Sequence, residues 1–324
     1  MVVEPGIAPQ RTTDAPPRST GELLRGLFRL SKLFVYQHYY GWGMAWLLLT
    51  PEARDRPGTT LAMLLFLVGT MGVVTCTCSL DDLVGFRNGS DARNYHSGET
   101  KRNFSMKPLL SGRVTEREAV GFVSAAATVA ILAGLGAFWA LDWQAPVESY
   151  VLYGVMLCCI QYSGGVRLSY YPGGGEAALF LGTMSGLLAP FTAAQHAWSA
   201  DAVLVAALLG LWLVMVSSYS NVNDVEGDRS VNRRTLAATA PKKVYKSAMV
   251  AFFVLSAGST CLLAATERWP WWTLLTLLPA LGLHGRQLRE GPLREEWLTA
   301  RRLGLYAFDL GFVGLLVPTL LVVL

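Results

Sequence analysis

Nine apolar stretches constrain most strongly what this chain of 324 residues can fold into. They lie at residues 27–49, 60–80, 119–141, 150–163, 176–195, 201–219, 245–265, 269–284 and 303–323. A helix needs about 20 apolar residues to cross the hydrocarbon of a bilayer. Only 15% of the residues are charged, against about 25% in soluble domains. The sequence therefore predicts an all-α, polytopic membrane protein, with nine transmembrane helices bundled around a central intramembrane cavity.

The polar gaps between these stretches are too brief for a separate soluble domain. Residues 1–20 contain four prolines and few large apolar side chains, which predicts a disordered N-terminal tail. This tail has no apolar core before a small-residue cleavage site, so we expect no cleaved signal peptide. Residues 21–324 then form one transmembrane domain.

The basic residues are distributed very unevenly between the two sides of such a bundle. If nine spans alternate in direction, 24 of the 27 lysines and arginines fall on one face. The positive-inside rule places that face, the N-terminus and the loops discussed below in the cytoplasm. The formal net charge of +4 is explained by these loops, and no basic stripe indicates a nucleic-acid partner.

Two acidic clusters end apolar stretches on the predicted cytoplasmic face, about 140 residues apart. The first contains Asp81, Asp82 and Asp91, together with Gly85 and Gly89. If the second span continues helically to Gly89, this glycine allows the chain to leave the helix and Asp91 to turn back. The second cluster contains Asn221, Asp224 and Asp228, which helical spacing places on one face.

Carboxylates beside hydrocarbon are costly unless their charge is compensated. Each cluster taken alone could be a helix end with solvated charges, but two matching clusters on one face favour a shared site. Mg²⁺ is typically held by one or two carboxylates together with substrate phosphates and waters. We predict Asp82, Asp91, Asp224 and Asp228 as Mg²⁺ ligands, supported by Asp81 and Asn221. We predict that phosphate oxygens are contacted by Lys101, Lys107, Arg229 and Arg233.

This arrangement suits the ionisation of an allylic diphosphate. Mg²⁺ and basic residues can stabilise the departing pyrophosphate. The carbocation needs a dry pocket with aromatic faces. The first span is rich in rings, although these could equally form an interfacial aromatic belt. They belong to Tyr36, His38, Tyr39, Tyr40, Trp42 and Trp46.

A glycine-rich segment, residues 161–176, joins the fourth and fifth spans on the same predicted face. Its glycines could form an anion-binding backbone nest or only a flexible turn. Tyr162, Arg167 and Glu176 are candidate site residues by position. Tyr162 and Tyr219 are candidates for hydrogen bonds to the leaving group.

With these residues in place, the chain resembles the UbiA superfamily of intramembrane prenyltransferases. Its motifs are most similar to the menaquinone branch, the 1,4-dihydroxy-2-naphthoate polyprenyltransferases. Asp81, Asp82, Gly85, Gly89 and Asp91 fall on the first motif of that branch, Asn-Asp-x-x-Asp-x-x-x-Gly-x-Asp. The second motif, Asn-x-x-Asp-x-x-x-Asp-Arg followed by basic residues and Thr-Leu-Ala, is matched from Asn221 to Ala237.

The resemblance implies nine spans, with both motifs binding the diphosphate through Mg²⁺ and the prenyl chain lying in the bundle. The chain departs from the pattern at two positions of the first motif. Asp81 stands where the branch has Asn, and Gly85 stands where it has Asp, so one expected carboxylate is absent.

Three functions remain open at this stage. The first is a Mg²⁺-dependent transferase that moves a prenyl group from geranyl, farnesyl or geranylgeranyl diphosphate to a lipophilic, aromatic acceptor. The second is a UbiA-type terpene cyclase, which an aromatic-lined pocket would favour. The third is a transporter or scaffold, which would place polar residues inside the spans, and these are sparse.

Overall fold

The computed structural model describes residues 19–95 and 104–323, and every regular element in these ranges is helical. The predicted all-α class is confirmed. The predicted tail at residues 1–20 lies almost entirely outside the described residues. The α-helices are α1 (Thr20–Ser31), α2 (Tyr40–Leu48), α3 (Pro51–Asp55), α4 (Thr59–Asn88), α5 (Ser90–Asn94), α6 (Glu116–Ala140), α7 (Val147–Cys158), α8 (Gly174–Gln195), α9 (Ala200–Asn221), α10 (Val225–Ser230), α11 (Leu236–Thr239), α12 (Lys242–Ala264), α13 (Thr273–Leu288) and α14 (Trp297–Pro318).

Six helical stretches in the described ranges are long and apolar enough to cross a membrane. They are Thr59–Asn88, Glu116–Ala140, Gly174–Gln195, Ala200–Ser230, Lys242–Ala264 and Trp297–Leu321. A shorter apolar helix covers Val147–Tyr162, and α13 has 16 residues. The structure thus supports a polytopic membrane protein, whereas the predicted count of nine spanning helices is not confirmed.

The first predicted span, residues 27–49, is not one helix. α1 ends at Ser31, and Lys32 adopts a left-handed conformation with φ 53°. A short 3₁₀ turn, Tyr36–Tyr39, then leads into α2. The break has an electrostatic reason, because a lysine facing lipid would be costly. Lys32 instead turns inward, where its Nζ lies 3.2 Å from Asp82 Oδ1.

α8 and α9 lie side by side in the centre of the bundle, and most of their side chains are buried. α4 packs along α6. A Cβ atom on Gly72 would lie only 2.8 Å from the backbone nitrogen of Ala130. Such close approach through small residues is typical of helix packing in membranes, where lipid is as apolar as the side chains. This packing fixes the end of α4, which carries the first acidic cluster.

Candidate functional site

A polar cavity of about 360 Å³ lies between the two acidic clusters. Its lining includes five of the predicted acidic or amide residues: Asp81, Asp91, Asn221, Asp224 and Asp228. Four cationic side chains also line it: Lys32, Lys107, Arg233 and Arg301. The fold therefore brings both clusters to one cavity.

The first cluster is formed where α4 ends. The helix runs through Asp81 and Asp82 to Asn88, and Gly89, with φ 78°, lets the chain turn into α5. The predicted return of Asp91 is confirmed, since its carboxylate lies against Gly85. α4 thus presents acidic side chains from its last turns, and α5 adds one more.

Lysine side chains neutralise this cluster. Lys107 Nζ lies 2.8 Å from Asp82 Oδ1 and 2.9 Å from Asp91 Oδ1. Lys32 contacts the same oxygen of Asp82. Burial alone would lower the pKa of Lys107, but Asp82 and Asp91 outweigh it and hold this pKa well above its usual value. Burial raises the pKa of Asp91 to about 6, with Lys107 acting in the opposite direction. Lys107 is therefore a permanent cation of the cavity.

The second cluster is formed at the end of α9. A short turn, Val222–Asp224, separates α9 from α10, and Asn221, Asp224 and Asp228 all reach the cavity as the spacing predicts. Asp228 is buried and accepts a hydrogen bond from Thr235 Oγ1 at 3.0 Å. Its other oxygen lies 3.8 Å from Arg233 Nη1. Three oxygen-bearing side chains thus face one space, which is the donor chemistry that Mg²⁺ prefers.

Arg233 connects the two clusters. Its Nη2 donates to Asp81 Oδ1 at 2.8 Å and to Ser163 Oγ at 2.9 Å. Ser163 in turn donates to the same Asp81 oxygen at 2.5 Å. Burial opposes the charge of Arg233, but Asp81 and neighbouring acidic groups raise the pKa of the guanidinium above its usual range. A second connection joins α5 to α10, where the Gly227 amide donates to Asn94 Oδ1 at 3.1 Å.

The glycine-rich segment 161–176 supports the loop that carries Arg233. Tyr162 lines the cavity, and its ring centroid lies 6.0 Å from the Arg233 guanidinium. Glu176 accepts a hydrogen bond from the Leu236 amide at 2.8 Å. Arg167 is exposed and packs over Tyr170. Of the three positions singled out in the sequence, Tyr162 reaches the cavity and Glu176 acts beside it.

Three predicted residues do not line the cavity. Asp82 is buried and contacts Lys32 and Lys107. Tyr219 is fully buried against Trp297, with 6.1 Å between ring centroids, and does not line the cavity. Arg229 donates its Nε to the Ala238 carbonyl at 2.9 Å, which ties α10 to α11. Lys101 lies outside the described residues.

The sequence reasoning missed Lys32, Ser163 and Thr235 as site residues. Lys32 carried a usable signal, because a lysine inside an apolar stretch needs an acidic partner. Thr235 is the threonine of the Thr-Leu-Ala motif but was not assigned a role, and Ser163 carried no signal, since its contact with Asp81 joins distant segments.

A smaller apolar pocket of about 100 Å³ adjoins the polar cavity between α4, α7 and α8. The two spaces share five lining residues: His38, Thr77, Cys78, Leu179 and Leu213. Among the described residues, no Phe, Tyr or Trp lines the apolar pocket. The site thus combines a charged compartment with an apolar one.

The rings of the first span have another role. Tyr36 and Tyr40 donate to Asp309 at 3.1 and 2.9 Å, and Gln37 donates to it at 3.0 Å. Tyr40 also stacks on Phe312, with 3.7 Å between centroids. These contacts fix the 3₁₀ turn to α14, and through it the position of His38 in the cavity wall.

The chain matches one family model and several solved structures. The model of the UbiA prenyltransferase family matches residues 41–303. A digeranylgeranylglyceryl phosphate synthase has a similar structure, with a TM-score of 0.63 and 15% identity, over 92% of this chain and 99% of that one. A UbiA homologue from Archaeoglobus fulgidus, bound to DMAPP and Mg²⁺, matches with a TM-score of 0.56 and 15% identity, over 91% and 98% of the two chains. An apo UbiA homologue from Aeropyrum pernix K1 matches with a TM-score of 0.59 and 14% identity, over the same shares. No curated protein matches the chain in sequence.

Proposed function

Because the chain belongs to the UbiA prenyltransferase family, we propose that it is a Mg²⁺-dependent enzyme that transfers a prenyl group from its diphosphate to a lipophilic, aromatic acceptor. The observation that carries the proposal is the single cavity lined by both acidic clusters. A related structure from Archaeoglobus fulgidus is bound to DMAPP and Mg²⁺, and another from the same organism to GPP and Mg²⁺.

Different residues would bind the Mg²⁺ ion and the phosphate oxygens of the diphosphate. Asn221, Asp224 and Asp228 offer the oxygen ligands for Mg²⁺, and Lys107 and Arg233 offer N–H donors for the phosphate oxygens. Bound Mg²⁺ would stabilise the negative charge that develops on the departing pyrophosphate. Tyr162 lies beside Arg233, where its hydroxyl can donate to the same leaving group.

The apolar pocket is suited to the prenyl chain. It meets the polar cavity at Thr77 and Cys78, so a diphosphate held by the clusters can extend its hydrocarbon between α4, α7 and α8. Burying that chain away from water also protects the allylic cation from hydrolysis. The described lining of this pocket contains no Phe, Tyr or Trp, which favours transfer over cyclisation, since a cyclase needs such rings to stabilise successive cations.

We also propose nine crossings, with the N-terminus and the polar cavity on the cytoplasmic side. The distribution of lysine and arginine supports this orientation. Three further crossings would add to the six long spans: the segment from α1 to α2, the short helix α7, and α13.

One assay tests this function. The purified protein in detergent receives Mg²⁺ and geranyl, farnesyl or geranylgeranyl diphosphate, with and without a hydroxylated aromatic acid. Consumption of the diphosphate only when the acceptor is present, with formation of a prenylated product, is the expected result. Release of a cyclic hydrocarbon without an acceptor would identify a cyclase instead, and no consumption under any condition would reject both.

A further inference from the structure

His38 lies where the polar cavity meets the apolar pocket. It is one of the five residues that line both spaces. The other four carry hydroxyl, thiol or aliphatic side chains, which are poor proton acceptors when uncharged. They are Thr77, Cys78, Leu179 and Leu213. If the diphosphate fills the polar space and the prenyl chain the apolar one, the carbon–oxygen bond that breaks lies at this junction.

Both ring nitrogens of His38 are free to meet a ligand. Across residues 19–95 and 104–323, neither nitrogen has a hydrogen-bond partner, and neither is sealed from open space. His284 shows the opposite arrangement. It is fully buried, its Nδ1 lies 3.0 Å from Gln287 Oε1, and it lines neither of the two spaces. A histidine that only fills the core would resemble His284, whereas His38 is half-buried in the cavity wall.

Contacts on both sides of His38 in the chain hold it at this junction. Gln37 precedes it and donates to Asp309 Oδ1 at 3.0 Å, and Tyr40, two residues later, donates to the same oxygen at 2.9 Å. Tyr36 donates to the other carboxylate oxygen at 3.1 Å. The short turn that carries His38 is thereby tied to α14. A side chain that is already held in position is oriented for reaction before the substrates arrive.

The carboxylates of the first cluster that line the cavity already have cationic partners. Asp81 accepts a hydrogen bond from Arg233 Nη2 at 2.8 Å, and Asp91 Oδ1 lies 2.9 Å from Lys107 Nζ. To take up a proton, each would have to lose its contact with a cation that is largely buried, which is costly. An imidazole among apolar neighbours is neutral and loses no such contact. His38 is therefore the group at the junction that accepts a proton most readily.

We propose that His38 is the general base of the transfer, and that the acceptor is prenylated on a carbon of its aromatic ring. The inference rests on the proposed function. The carbon–oxygen bond of the diphosphate breaks, and its electron pair leaves with the pyrophosphate. A ring carbon of the acceptor forms the new carbon–carbon bond with its π electrons. The proton on that carbon passes to a ring nitrogen of His38, and the electrons of the C–H bond restore the aromatic ring. The imidazolium later releases the proton to water.

An isotope effect tests this role in the full chain in detergent. The acceptor is the hydroxylated aromatic acid that the wild type prenylates, with either hydrogen or deuterium on its ring. In the wild type both forms should react at the same rate, because His38 removes the proton faster than the diphosphate ionises. In His38→Gln, kcat should fall by about 100-fold and a primary isotope effect should appear, since proton loss becomes the slow step. KM for the diphosphate should not change. His196→Gln is the matched control, since His196 is exposed and lines neither space, and it should behave as the wild type.

The outcomes separate this inference from the function on which it rests. A wild-type kcat in His38→Gln would overturn the role of His38. A lower kcat without an isotope effect would also overturn it, because the histidine would then act only through the structure. A product prenylated on oxygen would do the same, since no ring proton leaves. All three results leave a prenyl transferase intact, whereas no acceptor-dependent product from the wild type would reject the proposed function itself.

A measurement on the wild type covers the case in which His38→Gln does not fold. Diethyl pyrocarbonate modifies accessible imidazole nitrogens, and mass spectrometry locates the modified histidines. Loss of transfer should follow the modification of His38 and should not follow that of His196. Full transfer activity in protein modified at His38 would overturn the proposal, and so would failure of the reagent to modify His38 at all.

Discussion

Arg233 Nη2 lies 2.8 Å from Asp81 Oδ1, which joins two clusters that are 152 residues apart in the chain. The side chains are 12% and 28% exposed, so the pair is largely shielded from water. Ser163 contacts both partners and adds a third segment to the connection. This ion pair therefore helps to fix the relative position of the two acidic walls of the cavity, together with the hydrogen bond from Gly227 to Asn94.

We expect Arg233→Lys to weaken both this connection and the activity. Lysine cannot reproduce the planar fork of donors that contacts Asp81 and Ser163. Turnover should fall about 100-fold, as for loss of one preorganised donor in an active site. The melting temperature in detergent should also decrease, because Asp81 loses part of its compensation. Arg234→Lys is the matched control, since Arg234 is exposed, and it should change neither quantity. A wild-type rate in Arg233→Lys would contradict the role of Arg233.

Asp224→Ala should abolish turnover and leave the fold intact. The carboxylate is a proposed ligand of Mg²⁺, and its loss should lower the rate by about 100-fold or more. Diphosphate consumption and the circular dichroism spectrum are the measurements. Glu226→Ala, two residues away with an exposed side chain, should retain the wild-type rate. Equal activity of the Asp224→Ala and Glu226→Ala variants would exclude this metal site.

Gly186→Leu should change the preferred length of the prenyl chain. Gly186 lines the apolar pocket, and a Cβ there would have only Met156 Sδ nearby, at 4.0 Å. The added side chain should therefore project into the pocket and fill it. We expect kcat/KM for the longest accepted diphosphate to fall relative to the shortest.

The control for this change is Gly258→Leu on α12, where a Cβ meets nothing within 4 Å and the residue is exposed. It adds the same volume away from the pocket and should leave the length preference unaltered. A preference that shifts equally in both variants would show that the pocket does not hold the chain.

Substitutions of Asp309 should distinguish the contribution of its hydrogen bonds to stability from the contribution of its negative charge. Asp309→Ala removes the acceptor for Tyr36, Gln37 and Tyr40, and each such bond within a membrane protein contributes about 0.6 kcal/mol. Asp309→Asn retains a carbonyl oxygen in the Oδ1 position, which accepts from Gln37 and Tyr40. The melting temperature should therefore decrease more for Ala than for Asn. The reverse order would mean that the charge itself matters more than these bonds.

Local spacing predicted much of the site, but contacts between distant segments could not be predicted in this way. The interval from Asn221 to Asp228 predicted one shared face, and the helical end of α4 with Gly89 predicted the return of Asp91. Both depend on a few neighbouring residues. The same reasoning could not exclude Tyr219 and Arg229 from the cavity. The packing of Tyr219 against Trp297 and the hydrogen bond from Arg229 to Ala238 arise only in the folded bundle.

The apolar stretches predicted the all-α structural class, but they did not predict where a helix is interrupted. Hydropathy predicted a helix over residues 27–49, but it averages over Lys32, where the chain leaves α1. At this residue the backbone leaves the helix and the side chain contacts a buried partner. The partner, Asp82, lies 50 residues away, and no window of sequence contains both.

The contact between Gly85 and Asp91 limits how this protein can change. An aspartate at position 85 would restore the carboxylate of the motif that the first cluster resembles. That substitution would collide with the carboxylate that now packs against Gly85. Restoring the aspartate would therefore require the Asp91 carboxylate, and the Lys107 ammonium that contacts it, to shift.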